Sequence, residues 1–252
     1  NTATCDQTVT VTDNVLPTIS CPEPITIEAD LGSSFATGVN LGLPITNDNC
    51  GVASVNNNAP VQFPIGSTTV IWTVIDVNGL INTCSQIVTV NDDESPVINC
   101  PSTITVNCTD EIPAAYTTYA EFVAAGGSAD DNNGINPLSF ALISQTSDGQ
   151  TCPETITRVY TIADVNGNFS TCSQLVVVDD QIAPVFESIP ANVTVECSAI
   201  PAVGTATASD NCDADVTVTY QGETRTDGTC ADSYTLTRTW KAVDNCLNET
   251  TL

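Results

Sequence analysis

The chain has 252 residues with 30 acidic and only 4 basic side chains, giving a formal net charge of −26. This balance argues against nucleic acids and anionic membranes as partners, because both are negatively charged. Twelve cysteines without any histidine favour disulfides over structural zinc and indicate an oxidising, extracellular compartment. No apolar run approaches the ~18 residues of a membrane span, so membrane insertion is not expected.

The first residues, 1–13 (NTATCDQTVTVTD), carry a strand pattern that recurs later in the chain. Residues 83–92 read TCSQIVTVND and residues 171–180 read TCSQLVVVDD. We therefore predict that residues 1–13 are the last strand of a preceding repeat. The chain lacks an initial Met, and we interpret it as a processed product or as a slice of a longer repeat array.

A β-hairpin is predicted over residues 68–92, because β-branched and aromatic side chains alternate on both sides of the turn Asp76-Val77-Asn78-Gly79. The hairpin recurs at residues 155–180 and, cut short, at 235–252. A spacing of about 80 residues indicates tandem small domains. The predicted boundaries are 14–93 for repeat one, 94–181 for repeat two with an insertion near 112–127, and 182–252 for repeat three, which lacks its last strand.

Each repeat is predicted to open with a short strand and to continue through an Asp/Asn cluster to its hairpin. The insertion of repeat two contains Tyr119–Ala125 followed by Gly126 and Gly127, which predicts a short helix with a glycine C-cap. About seven short strands per repeat predict an all-β protein of tandem immunoglobulin-like β-sandwich domains forming an extended rod, with one short helix in the second repeat. The apolar first-strand pairs are Ile25 and Ile27, Ile104 and Val106, and Val193 and Val195.

The cysteines fall into six positions that appear and vanish in pairs among the repeats, and positions that vary together are expected to be bonded. Cys5 then has its partner upstream, and Cys50 is left free or competes with Cys21 for Cys84. A rival scheme bonds Cys5 to Cys21 and Cys84 to Cys100. It requires the linker to fold back, because the strand 84–92 spans ~26 Å and a disulfide needs Cα atoms within about 7 Å. The expected bonds are Cys21–Cys84, Cys100–Cys172, Cys108–Cys152, Cys197–Cys230 and Cys212–Cys246.

Acidic residues end each repeat, and the Asp/Asn cluster and hairpin turn of the next repeat are expected to face the same junction. Packed carboxylates repel one another unless a cation lies among them, and Ca²⁺ takes 6–8 oxygen ligands of this kind. The alternative is that Asp and Asn serve only as turn residues. The candidate calcium ligands are Asp13, Asp48, Asp76, Asp92, Asp93, Asp130, Asp131, Asp164, Asp179, Asp180, Asp210, Asp213 and Asp244.

Several segments resemble a known family. The pieces ISCP, NDNCG, FPIGSTTVIWTVIDVNG and TCSQIVTV of repeat one are similar to the hyalin-repeat (HYR) family of immunoglobulin-like modules. EFVAAGGSADDN, VTVECSAIPA and YTLTRTWKAVDNC in repeats two and three resemble a Cys-rich variant. That variant is found in giant Bacteroidetes surface adhesins, including gliding-motility adhesins exported by the type IX system. The resemblance implies an extracellular repeat architecture that serves as spacer or adhesive stalk.

The predicted function is a structural and adhesive stalk segment of a large extracellular repeat protein, with neighbouring repeats as its partners. An enzyme is not expected, because no His base, Gly-x-Ser-x-Gly elbow or phosphate loop is present. Two other hypotheses stay open. One repeat could bind surface glycans or other adhesin or fibre subunits, with the insertion of repeat two as the candidate. The chain could also be a self-assembling filament subunit whose first strand completes the next copy.

Overall fold

The computed structural model describes residues 2–229 and 232–252. The chain forms two compact units. Unit one contains Asn1–Val97, Ala129–Asn136 and Ala163–Ser170, and unit two contains Ile98–Ser128, Pro137–Ile162 and Thr171–Leu252. The loops 129–136 and 163–170 of repeat two therefore pack with repeat one. The described residues are mostly strands and turns, which confirms the predicted all-β fold.

Repeat one has a four-stranded sheet in the order β2-β8-β7-β5 and two strand pairs, β1 with β4 and β3 with β6. The predicted hairpin is β7 and β8, in which Trp72 lies opposite Cys84. Gly79 closes the turn with φ +88, a conformation that favours glycine. The strands are β1 Thr18–Ser20, β2 Ile25–Glu28, β3 Phe35–Thr37, β4 Ile45–Asn47, β5 Val52–Asn57, β6 Gln62–Pro64, β7 Gly66–Asp76 and β8 Ile81–Asn91.

The core of repeat one follows from the alternation along β7 and β8, which turns every second side chain inward. Trp72 is buried, and its Nε1 donates to Oε1 of buried Gln86 at 3.0 Å. The Gln86 amide in turn donates to the main-chain oxygens of Glu23 and Leu41. The buried glutamine thus ties the hairpin to two loops. The buried apolar cluster is Ala36, Phe63, Val70, Trp72, Val88 and Val90.

Repeat two has the same arrangement, with a sheet in the order β10-β14-β13-β12 and a pair formed by β9 and β11. Its hairpin is β13 and β14, as predicted. Its helix α1 spans Tyr119–Ala124 and lies within the predicted insertion. The strands are β9 Val97–Asn99, β10 Ile104–Val106, β11 Ser128–Asp130, β12 Ile135–Ser147, β13 Glu154–Asp164 and β14 Phe169–Val178.

Helix α1 begins with a capping box and ends with a glycine motif, both readable in the sequence. The Thr118 hydroxyl accepts the Glu121 amide, and the Glu121 carboxylate accepts the amide of Thr118. At the other end Gly126 donates to the Val123 carbonyl and Gly127 to the Phe122 carbonyl, a Schellman pattern. Phe122 is fully buried among the aromatic rings of Tyr116, Tyr119, Phe140 and Tyr160. The insertion therefore completes the core of repeat two.

Repeat three has a pair formed by β15 and β16 and a three-stranded sheet in the order β17-β18-β19. Its predicted first strand does not form, and Val193 and Val195 are 62% and 47% exposed. The equivalent strands of repeats one and two pair with the far part of their last strand, from Val88 and from Val176, whereas β19, the corresponding strand of repeat three, covers only Glu249–Thr251. The strands are β15 Val185–Ser188, β16 Thr207–Ser209, β17 Thr217–Asp227, β18 Tyr234–Val243 and β19 Glu249–Thr251.

In repeats one and two the first sheet strand lies parallel to the last. Strand β2 pairs with β8 from Ile25 opposite Val88 to Glu28 opposite Asn91. Strand β10 pairs with β14 from Ile104 opposite Val176 to Val106 opposite Val178. The paired strands run in the same direction, so the start of the first and the end of the last lie at opposite ends of the ladder.

Four disulfides are present among the described residues. Cys21–Cys84 and Cys100–Cys172 match the expected pairs and exclude the rival scheme. The other two are Cys108–Cys212 and Cys152–Cys246, so the expected Cys108–Cys152 and Cys212–Cys246 bonds are wrong. Cys5, Cys50 and Cys197 are free and exposed. The expected Cys197–Cys230 bond involves Cys230, which lies outside the described residues.

Cys108 and Cys152 occur in the same repeat because both bond the following repeat, and not because they bond each other. Cys108 and Cys152 lie at the end of repeat two where β14 stops. The Asp/Asn loop and hairpin turn of repeat three, which carry Cys212 and Cys246, face that same end. The two bonds therefore join repeat two to repeat three.

Candidate metal centres

Three acidic clusters lie where one repeat ends and the next begins. Each combines an aspartate at the end of a preceding repeat, an aspartate of the Asp/Asn loop and the first aspartate of the hairpin turn. The structure assigns no strand to residues 2–12, so the last strand predicted before Asp13 does not form there. In each cluster, ligand atoms of all members lie within 4.8 Å of one another. The first cluster is Asp13, Asp48 and Asp76, the second is Asp92, Asp131 and Asp164, and the third is Asp180, Asp210, Asp213 and Asp244.

The first cluster is held by backbone amides of its own turns. Asp48 Oδ2 accepts the amides of Cys50 and Gly51 at 2.7 and 2.9 Å. Asp76 Oδ1 accepts two amides of the hairpin turn, and Asp13 accepts the side-chain amide of Asn78 at 2.8 Å. Asp48 Oδ1 and Asp76 Oδ2 are buried and accept no hydrogen bond.

The second cluster is built the same way. Asp164 Oδ1 accepts three amides of the turn 166–168, and Asp131 Oδ2 accepts the amide of Asn133. Asp92 Oδ1 accepts the amide of Glu94 at 3.2 Å, while its Oδ2 is buried without a partner. Burial raises the pKa of Asp131, and the charges of Asp92 and Asp164 raise it further.

The third cluster has four carboxylates. Asp210 Oδ1 accepts the amides of Cys212 and Asp213, and Asp180 Oδ1 accepts the amide of Ile182. The Oδ2 atoms of both Asp180 and Asp210 are buried and accept nothing. Burial raises the pKa of Asp180, with smaller contributions from the charges of Asp210 and Asp244. Cys212 also lies near these carboxylates, but its sulfur is in a disulfide and is not a thiolate ligand.

No basic side chain of the protein contacts these clusters. Arg158 donates to Gln145 and to the Pro113 carbonyl, and Arg225 pairs with Asp227. Arg238 pairs with Glu223, and Lys241 pairs with Glu249. These are the only four cations in the sequence, and all lie in the described part of the chain. The clustered carboxylates therefore face only other anions and neutral groups.

Three predicted ligands lie outside the clusters. Asp93 and Asp130 are exposed, and Asp179 accepts the side-chain amide of Gln181. Each is the immediate neighbour of a cluster member. Successive side chains of extended backbone point to opposite sides, so only one of each adjacent pair faces the junction.

Sequence reasoning missed two asparagines that brace the clusters. The Asn168 side-chain amide donates to Asp164 Oδ2 at 2.8 Å and to the main-chain oxygen of Asp92 at 2.9 Å. Asn248 makes the same two contacts with Asp244 and the Asp180 carbonyl. Each follows the turn aspartate by four residues, which is the sequence signal that could have identified it. Repeat one has Leu80 at this place.

Comparison with known proteins supports the HYR family. Residues 12–90 match the HYR domain model. The chain is 32% identical over 176 residues to hyalin of Strongylocentrotus purpuratus, covering 63% of this chain and 14% of that protein. It is 31% identical over 198 residues to hyalin of Lytechinus variegatus, covering 73% of this chain and 35% of that protein. The chain thus spans only a minor part of these relatives.

A solved structure, the crystal structure of human CDH23 EC21-23, aligns with a TM-score of 0.37 and 12% identity, covering 94% of this chain and 99% of that one. Among the described residues, no helix has the length and apolar character needed to cross a membrane. The four disulfides and the HYR resemblance indicate an extracellular protein.

Proposed function

We propose that this chain is a non-enzymatic segment of an adhesive stalk that transmits tension between a cell surface and its target. The finer assignment, to a giant Bacteroidetes adhesin of the gliding-motility type exported by the type IX system, is part of the proposal. It rests on the resemblance of repeats two and three to that Cys-rich variant. Neighbouring repeats are the proposed partners of this segment.

The observation that carries the proposal is the parallel pairing of β2 with β8 and of β10 with β14. A pulling force enters each repeat through its first strand and leaves through its last. Because the strands are parallel, the force shears the whole ladder instead of opening one hydrogen bond at a time. The Cys21–Cys84 and Cys100–Cys172 bonds join the starting ends of these strand segments covalently. This arrangement suits a protein under tension.

Single-molecule pulling from the two ends of the chain tests the proposal. In the oxidised chain the shortest covalent path passes through Cys21–Cys84, Cys100–Cys172 and Cys152–Cys246. It contains about 65 residues, or about 230 Å at ~3.5 Å per residue. Reduction should release the full chain to about 900 Å on the same scale. Equal extensions with and without reductant would remove the mechanical basis of the proposal.

The binding hypothesis receives less support, because the insertion proposed to bind glycans turns Phe122 into the core of repeat two.

A second candidate, self-assembly, is favoured by two apolar segments that lack strand partners. Val9 and Val11 are 73% and 83% exposed, and Val193 and Val195 of repeat three belong to no strand. The first segment matches β8 and β14 in sequence, the strands that pair with the first strand in repeats one and two. Strand exchange between copies would therefore cover both segments.

The bonding pattern gives this second candidate a specific test. Cys108 of repeat two bonds Cys212 of repeat three, and Cys197 and Cys50 occupy the same two positions. Strand exchange should therefore bring Cys50 of one copy to Cys197 of another. Non-reducing electrophoresis should show linked oligomers in a Cys5→Ser background and none after Cys197→Ser. A monomeric Cys5→Ser protein at high concentration would exclude the self-assembly hypothesis.

A further inference from the structure

Five carboxylate oxygens in the acidic clusters are buried and accept no hydrogen bond: Asp48 Oδ1, Asp76 Oδ2, Asp92 Oδ2, Asp180 Oδ2 and Asp210 Oδ2. In each of these residues the other oxygen is fixed by backbone amides of its own turn. Asp76, Asp92 and Asp180 are 1%, 6% and 4% exposed. Every cluster therefore has at least one unpartnered oxygen from a carboxylate that is more than nine-tenths buried.

This arrangement is unfavourable for the protein alone. A buried charge requires a partner of opposite sign or a full set of hydrogen bonds, and these oxygens have neither. The neighbouring carboxylates add repulsion, because like charges at this distance oppose one another in a medium of low dielectric. All four basic side chains are engaged elsewhere.

We propose that each of the three acidic clusters binds one calcium ion. The grouped ligand atoms of each cluster include at least three carboxylate oxygens, which are the donors of hard cations, and the chain has no imidazole. The free thiol of Cys50 lies beside the first cluster but is not one of its grouped ligands. Calcium accepts irregular sets of six to eight oxygens, including bidentate carboxylates and water, whereas magnesium requires a compact octahedron. Ligands drawn from two or three separate turns suit the more permissive ion.

The three sites share one plan, which argues against an accidental cluster. The turn aspartates Asp76, Asp164 and Asp244 are equivalent among the repeats, as are the loop aspartates Asp48, Asp131 and Asp210. The third ligand follows β8 or β14 in two of the clusters, and in the first it is Asp13, at the end of the segment that matches those strands in sequence. Each ion would thus connect the end of one repeat to two loops of the next. This inference does not depend on the stalk proposal.

Titration calorimetry of the whole chain, stripped with EDTA, tests the inference. Titration with Ca²⁺ alone should give a stoichiometry of three, with dissociation constants near the ~10⁻⁴–10⁻³ M of extracellular modules. Mg²⁺ alone should bind more weakly. The variants Asp76→Asn, Asp92→Asn and Asp180→Asn should each reduce the stoichiometry from three to two. Asp93→Asn and Asp179→Asn change the adjacent residue and serve as matched controls that should keep three.

Thermal unfolding of the same variants separates a calcium ligand from a structural aspartate. In EDTA, Asp92→Asn removes a repelling charge and should raise the melting temperature relative to wild type. In calcium, the variant loses an ion and should melt below wild type. If Asp92 had only a structural role, the substitution would shift the melting temperature in the same direction in EDTA and in calcium. No saturable Ca²⁺ binding at ~10 mM, tenfold above the weak end of that range, would overturn the inference, as would an unchanged stoichiometry in all three variants.

Discussion

At the scale of single residues, buried polar side chains tie the hairpin of each repeat to its neighbouring loops. Gln86 and Gln174 occupy the same place in β8 and β14, and both are buried with amides that donate to a first-strand loop. Arg158 and Arg238 are also equivalent, and each donates to main-chain oxygens of an Ile-Pro-Ala loop through Pro113 or Pro201. A charged guanidinium in a small core is tolerated because these carbonyl oxygens accept hydrogen bonds from it.

Gln86→Leu should destabilise repeat one by about 1–3 kcal/mol, because it leaves the buried Trp72 indole N–H without an acceptor. Adding Trp72→Phe removes the orphaned donor, so the double variant should cost less than the sum of the two single changes. Urea unfolding followed by circular dichroism measures these free energies. Ile87→Thr, on the adjacent outward position, should stay within ~0.5 kcal/mol of wild type. Additive costs would show that the indole–amide bond contributes little.

Helix α1 departs from the strand-and-turn plan of the repeats. Its Glu121 carboxylate accepts the Thr117 amide at 2.8 Å, and this bond is the main reason that the pKa of Glu121 is lowered. A carboxyl with a lowered pKa stabilises the fold above its ordinary value of 4.5 and loses that contribution as the pH falls through its folded value.

Hydrogen exchange in α1, corrected for intrinsic rates, should therefore lose protection between about pH 5 and about pH 3. The Glu121→Gln variant cannot ionise at this position. Its helix amides should therefore be less protected than those of wild type at about pH 5, and their protection should not change down to about pH 3. A wild-type profile as flat as that of the variant would show that the cap contributes nothing to helix stability.

Close packing at the end of α1 allows no side chain at residue 127. A Cβ on Gly127 would lie 2.3 Å from the Phe122 ring, so Gly127→Ala forces the ring to move. We expect a destabilisation of about 1–3 kcal/mol, as for other overpacked cores. Exposed Ala124→Ser is the control and should cost under ~0.5 kcal/mol. The measurement is urea unfolding, and a neutral Gly127→Ala would show that the ring has room to shift.

Elements with local signatures were predictable. The hairpins follow from period-two alternation and the Asp-Val-Asn-Gly turn, and α1 follows from its capping box and paired glycines. The acidic clusters were predicted as groups, although Asp93, Asp130 and Asp179 were included because the sequence does not give the register at a strand end. The partners of Cys108 and Cys212 could not be derived from the sequence. Two cysteines can occur together in a repeat either because they bond each other or because both bond the neighbouring repeat.

At the scale of the whole molecule, the main feature is that repeats two and three are joined covalently. The two bonds that join them close loops of 104 and 94 residues and flank the third acidic cluster. Non-reducing peptide mapping should recover both pairs. Removing one pair as Cys108→Ser/Cys212→Ser should cost about 4–5 kcal/mol in the chain-entropy model. Cys50→Ser alone should leave the melting temperature unchanged, and an equal loss in both proteins would contradict the assignment.

Each of these bonds joins one cysteine position to a different position in the next repeat. The bonds therefore also limit which repeats can be neighbours. Repeat one has Ala29 in the position of Cys108, and repeat two correspondingly has Asn133 and Asn166 in the positions of Cys212 and Cys246. In place of the two cysteines, the side-chain amide of Asn133 donates to Oδ1 of Asn166 at 2.7 Å. A repeat moved or duplicated by recombination would keep its bonds only beside a neighbour with matching cysteines. The cysteine positions therefore restrict which repeats can follow one another along the chain.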